Sequence, residues 1–117
     1  MLTGSYETAE LFTGWRPDLR LLGETSGKNS LVITQAADID LAIKDLVRSA
    51  FGHAGQKCSA ASLAIIEAPV YDDPTFHARL GDAVSSLRVG SAVEPATMMG
   101  PLIEEPGDKL LRGLTQL

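Results

Sequence analysis

The chain has 117 residues, 44% of them apolar and 21% charged, the composition of an ordinary globular protein long enough for one modest core. Its net charge is −5 and its ten basic residues are scattered, which excludes a phosphate-tracking nucleic-acid surface. No apolar run approaches the ~20 residues that cross a bilayer, so no membrane partner is expected. Met1 to Glu7 carry neither a basic nor an apolar leader region, and the default address is the cytoplasm.

Thr3-Gly4-Ser5 stands ahead of a helix-compatible stretch, Tyr6 to Trp15, which Pro17 stops. Leu19 to Leu22 reads as a short strand ending at Gly23-Glu24, and Thr25 to Asn29 as a loop rich in turn formers. Ser30 to Thr34 is a second strand, apolar at its centre as strands covered on both faces are. The best helix follows Asp38, a candidate N-cap, with Ile39, Ala42, Ile43, Leu46, Val47 and Ala50 at helical spacing. Gly52 and Gly55 end it and leave Cys58 in the turn beyond.

Leu63 to Ile66 is a third buried strand. Asp73-Pro74 opens the next helix, with Phe76, Leu80, Val84 and Leu87 on one face and Val89-Gly90 at its close. A Pro/Gly-bearing segment, Glu94 to Ile103, leads to a last amphipathic helix whose apolar side holds Leu110, Leu111, Leu114 and Leu117. Strands alternating with helices give an α/β class with a mostly parallel sheet and flanking helices. The opening and closing residues resemble the interior of helices, as in an excerpt from a longer domain. Trp15, Met98 and Met99 are expected in a core or interface, and His77 on a solvated flank.

Cys58 is the sole cysteine, so it forms no intrachain disulfide and makes no metal site alone; none is expected. It is either a small core hydrophobe or a reactive thiol. Its setting favours chemistry in one respect: Lys57 adjoins it, and a nearby cation favours a thiolate. His53 suggests a Cys/His pair, against which stands a plain surface or cap histidine. Glu24, at the end of an apolar strand, is either an exposed turn carboxylate or a partly desolvated one able to take a proton.

The two residues gain meaning together. Glu24-Thr25-Ser26-Gly27-Lys28-Asn29 resembles the Glu-Leu-Gly-Gly-Lys motif of aldehyde dehydrogenases, which carries that family's general base. Phe51-x-x-x-Gly55-Gln56-x-Cys58 resembles the family's nucleophile motif, at the family separation with no insertion. Leu2-Thr3-Gly4-Ser5 is similar to its Phe-Thr-Gly-Ser, and Met99-Gly100-Pro101-Leu102-Ile103 to its later Gly-Pro segment. Gln56-Lys57-Cys58-Ser59-Ala60 looks most like the branch that oxidises L-glutamate γ-semialdehyde (Δ1-pyrroline-5-carboxylate), including the dehydrogenase half of bifunctional proline-catabolic flavoenzymes.

The resemblance implies oxidation of an aldehyde to a carboxylate. Cys58 would add to the carbonyl, its own N–H and an Asn would hold the oxyanion, hydride would leave to NAD or NADP, and Glu24 would activate the hydrolytic water. Cofactor contacts would fall to Gly4, Ser5 and Thr25, and substrate contacts to Ser59 and Lys57. Residues 1–18 would end an NAD-binding region and 19–117 form part of the catalytic domain. The partner would be a small aldehyde, and a homo-oligomer is allowed. Ser26 replaces a family Gly and would crowd the loop at positive φ. The oxyanion Asn, most of the dinucleotide-binding domain and the oligomerisation strand match nothing here, so the isolated chain is expected to hold no NAD and show little activity. The rival reading is a non-catalytic subdomain that associates through exposed apolar faces.

Overall fold

The structure is a computed structural model that describes residues 1–116. At its centre Asn29–Ile33 (β3) and Ala61–Ile66 (β4) pair in parallel, with Asn29 opposite Ala61 and Ile33 opposite Ile66. Side chains alternate across such a ladder, so Leu31, Ile33, Ala64 and Ile66 turn to one face and Val32, Leu63 and Ile65 to the other. The first face packs on helices; the second is exposed. Parallel strands need a long crossover. Here it contains the helix Ile39–Phe51 (α2), whose N-cap Asp38 accepts a 3.1 Å hydrogen bond from the Leu41 N–H.

The core is Ile33 from β3, Ile43, Leu46 and Val47 from α2, Val70 and Phe76. Val70 lies in a one-turn helix, Ala68–Tyr71 (α3), and Phe76 in Pro74–Ser85 (α4). Asp73 caps α4, its carboxylate 2.8 Å from the Thr75 N–H. An Arg79–Asp40 ion pair joins α4 to α2. The carboxyl ends of β3 and β4 are closed by Glu67, whose carboxylate accepts from the Gln35 N–H at 2.7 Å.

Around this body lie the flanks. Leu2–Thr3 (β1) pairs in parallel with Gly23–Glu24 (β2), and Tyr6–Trp15 (α1) separates them. Arg16 ends α1 at φ −136 and ψ 84, outside the helical region that a following proline disfavours. Beyond α4, Val89 bridges Met99, and Asp108–Thr115 (α5) carries Leu110, Leu111 and Leu114 exposed.

The α/β class with parallel pairings is borne out, as are α1, the Asp38 and Asp73 caps and the helix faces of α2 and α4. Several expectations need correction. Leu19 to Leu22 is not a strand; pairing extends only as far as the two-residue β1 reaches, and Leu22 keeps one bond, its carbonyl accepting from the Leu2 N–H. The central strands begin at Asn29 and Ala61, and the described residues supply helices to one face only. Helix α4 ends at Ser85, short of Val89-Gly90, which join Met99 instead.

Trp15 and Met98 are 66% and 62% exposed, Trp15 touching the edge of Phe12 alone among the aromatic rings described. His77 is exposed on its helix flank as expected, with its Nε2 donating to the Tyr71 carbonyl at 2.5 Å and its ring edge-on to Tyr71 and Phe76. Leu117, expected on the apolar side of α5, lies outside the described residues. Among those residues no helix is long and apolar enough to cross a membrane.

Candidate active site

Register builds the site. With Asn29 opposite Ala61, the segments preceding β3 and β4 meet at one edge, so the loop after Glu24 comes beside the turn Lys57–Ala60 that presents Cys58. That turn is closed by the Ala60 N–H donating to the Lys57 carbonyl at 3.1 Å. The pairing of Thr3 with Glu24 carries Gly4 and Thr25 to the same place, where the Gly4 N–H donates to the Glu24 carbonyl at 3.2 Å. The result is a cleft of about 880 Å³ lined by Gly4, Glu24, Thr25, Asn29, Lys57 and Cys58 among others. It lies at the amino ends of β3 and β4, whereas ligands of open parallel sheets usually sit at carboxyl ends.

Cys58 is exposed, which removes the reading of it as a core hydrophobe. Glu24 is exposed too, so the partial desolvation considered for it is not present: β2 is a margin strand with no further element packed over it among the described residues.

The approach to Cys58 is unusual. After Gly52 the backbone turns left-handed at three successive residues, His53 (φ 54), Ala54 (φ 55) and Gly55 (φ 71). A Cβ at Gly55 would stand 3.2 Å from the Ala50 carbonyl, so both conformation and space call for glycine there. At the other two positions the conformation costs an L-residue about 1–2 kcal/mol each, the kind of strain found beside functional groups. Gln56 braces the turn. Its Nε2 donates to the His53 carbonyl at 3.0 Å and the Pro101 carbonyl at 3.4 Å, and its Oε1 accepts from the Ile103 N–H at 2.9 Å. His53 thus contributes its carbonyl, and its exposed side chain matches the surface histidine of the plainer reading.

The model of the aldehyde dehydrogenase family matches residues 1–116. The chain belongs to that family. It is 44% identical over 86 residues to a 1-pyrroline-5-carboxylate dehydrogenase of Geobacillus kaustophilus, covering 74% of this chain and 16% of that protein. The Bacillus subtilis protein of the same name is 43% identical over the same shares. Among solved structures, proline utilization A from Corynebacterium freiburgense superposes with a TM-score of 0.83 at 54% identity, covering 98% of this chain and 12% of that one. A betaine aldehyde dehydrogenase from Staphylococcus aureus, solved in complex with NAD+, gives 0.76 at 30% identity, covering 89% and 21%. The chain therefore spans about a sixth of the length of the curated relatives it matches.

Of the residues singled out by resemblance to aldehyde dehydrogenases, Cys58, Glu24, Gly4, Thr25 and Lys57 share the cleft. Ser5 and Ser59 do not line it. Ser5 is the N-cap of α1, its Oγ accepting from the Thr8 N–H at 3.2 Å. Ser59 faces a separate hollow of about 410 Å³ on the far side of the turn, with Arg48, Ser49 and Lys57. Ser26 lines the cleft with φ outside the positive region, so the strain feared for it does not arise.

Fit to a dinucleotide is uneven. The cleft has room and small lining residues for a nicotinamide end. At the start of α1, where the family resemblance would put phosphates, Glu7 already supplies an anion. Its own backbone N–H, and then the Ser5 hydroxyl, hold its carboxyl below the usual range.

Two residues that matter to the geometry were given no role in the sequence: Asn29, read as a turn former and as the end of the Glu24 motif, and Gln56, read only as part of a motif. A signal existed for Gln56, since a motif glutamine next to a left-handed glycine has backbone groups to satisfy. For Asn29 the motif gave its place and only the register gives its partners. Among the described residues no three His, Cys, Asp or Glu gather as a metal site would need.

Proposed function

We propose that this chain carries the nucleophile and general base of an enzyme that oxidises an aldehyde to a carboxylate, with glutamate γ-semialdehyde as the substrate. The observation that supports this most is that Cys58 and Glu24, distant in sequence, line one open cleft. Cys58 adds to the aldehyde carbon, and its backbone N–H, at the head of the turn, donates to the oxyanion. NAD or NADP, when bound, supplies the hydride acceptor that turns the adduct into a thioester. Gly4 and Thr25 would border its nicotinamide end. Glu24 takes a proton from the water that hydrolyses the Cys58 thioester.

The semialdehyde is favoured by the names of the relatives. On this reading residues 1–18 close an NAD-binding region and 19–117 belong to the catalytic domain.

The roles are separable without cofactor. p-Nitrophenyl acetate acylates an active thiol and releases a coloured burst, after which hydrolysis of the thioester sets the steady rate. Glu24→Gln is expected to keep the burst and slow the steady phase by about 10²-fold or more; Cys58→Ala should abolish both. A steady phase indifferent to Glu24→Gln would sink the assignment of the base.

A second reading has its own support. Val32, Leu63 and Ile65 expose an apolar sheet face on which another body would pack, as in a subdomain whose role is association. Neither burst nor turnover from the intact chain would favour it.

A further inference from the structure

Asn29 ends the segment that follows Glu24, and its side chain bonds to the turn that carries Cys58. It opens β3, half-buried, opposite Ala61, just where the ladder with β4 slips: Asn29 pairs with Ala61, while Ser30 pairs with Leu63. At such an irregularity some backbone groups lose their ladder partners. The Asn29 side chain takes their place. Its Nδ2 donates to the Cys58 carbonyl at 2.6 Å and to the Ala60 carbonyl at 3.0 Å, spanning the turn that presents the thiol.

Two carbonyls side by side accept only from a group with two hydrogens, so the amide nitrogen must be the end that faces them. The other segment is reached through the backbone, since Asn29 itself closes the loop that follows Glu24 and leads straight into β3. The other braces of the turn leave this link unduplicated. Ser49 Oγ accepts from the Ala61 N–H, tying the turn to α2, and Gln56 ties it to Pro101 and Ile103.

We infer that Asn29 is a positioning residue: its amide fixes the peptide following Cys58, and so the direction of the thiol, against the loop that carries Glu24. This inference rests on the proposed roles of Cys58 and Glu24 but concerns a different residue. The requirement is chemical. Asp has the shape without the donors, Ala has neither, and a protonated Asp has one donor.

The test joins two readouts on the whole chain. Backbone order parameters from ¹⁵N relaxation report the turn directly: Asn29→Ala is expected to drop Cys58, Ser59 and Ala60 from about 0.85 to below about 0.6 while α2 and α4 hold their values. Asn29→Asp should loosen the same residues at neutral pH and tighten them on acidification, as its carboxyl regains a proton; the unsubstituted chain should show no such change. Unchanged order in both variants, or loosening spread through α2 and β4, would overturn the inference.

The second readout is coupling. The effect of Glu24→Gln on p-nitrophenyl acetate turnover should shrink from about 10²-fold to under about threefold when Asn29→Ala is also present. A Glu24 effect that persists in full would equally overturn it. Failure of the proposed function is recognised separately, by absence of any Glu24 effect in the otherwise unsubstituted chain; the order parameters and their response to acid then decide for Asn29 alone.

Discussion

The body from β3 to α4 and the flanks around it are held by different forces. Among the described residues every buried side chain lies in the body, between Ile33 and Phe76, whereas α1 and α5 bury none. Yet the cleft is assembled from both: Cys58 comes from the body, and Glu24 and Gly4 from the flank before it. The nucleophile therefore rides on close packing, and the base on a two-residue parallel ladder and a loop. Close-packed α2 and β4 flank the hydrogen-bonded turn that carries one reacting group; the other has no packed element beside it.

The largest expected break in that contrast is Phe76→Ala. Phe76 is 2% exposed, and removing a buried aromatic costs about 3–5 kcal/mol, a large part of a domain's stability. Urea denaturation followed by circular dichroism should show most of the folded signal lost at lower urea; a cost below about 1 kcal/mol would mean the body is not what holds the chain together. Smaller is Gly55→Ala, where a Cβ meets the Ala50 carbonyl at positive φ. About 1–2 kcal/mol is expected, with a slower acylation burst at Cys58. An unchanged midpoint and burst would show that the turn has an alternative conformation.

Smallest is Leu114→Ser in α5, at 66% exposure, which should move the midpoint by no more than about 0.5 kcal/mol. A loss above about 1.5 kcal/mol would place α5 in the packed body and blur the comparison.

The same division governs what could be read from the sequence. In the body, periodicity and caps were enough. Asp38 and Asp73 announced α2 and α4, and the spacing of Ile43, Leu46 and Val47 told which face is buried. The flanks defeated the same signals because exposure there depends on partners rather than pattern. Leu19 to Leu22 looked like a strand and found no ladder; Trp15, expected in a core or interface, is exposed and so not in the core.

At the site, the pairing of Glu24 with Cys58 was legible through two motifs, and both residues do line one cleft. Their exposure was not legible, nor was the separation of Ser59 from that cleft. Least visible was the role of Asn29. A side chain that bonds to carbonyls far along the chain is announced by strand register, which no local pattern of residues encodes.

The left-handed turn at residues 53–55 has a stereochemical consequence. An L-residue is strained there, but its enantiomer occupies that region as its natural one. Ala54 is thus a position where the mirror-image amino acid fits the native backbone better than the encoded one. The chain also provides the means to put it there, for Cys58 follows shortly and a cysteine is the residue at which a synthetic peptide thioester joins a second segment. The thiol proposed to capture an aldehyde is, to a chemist, the junction through which the chirality of its own supporting turn can be rewritten.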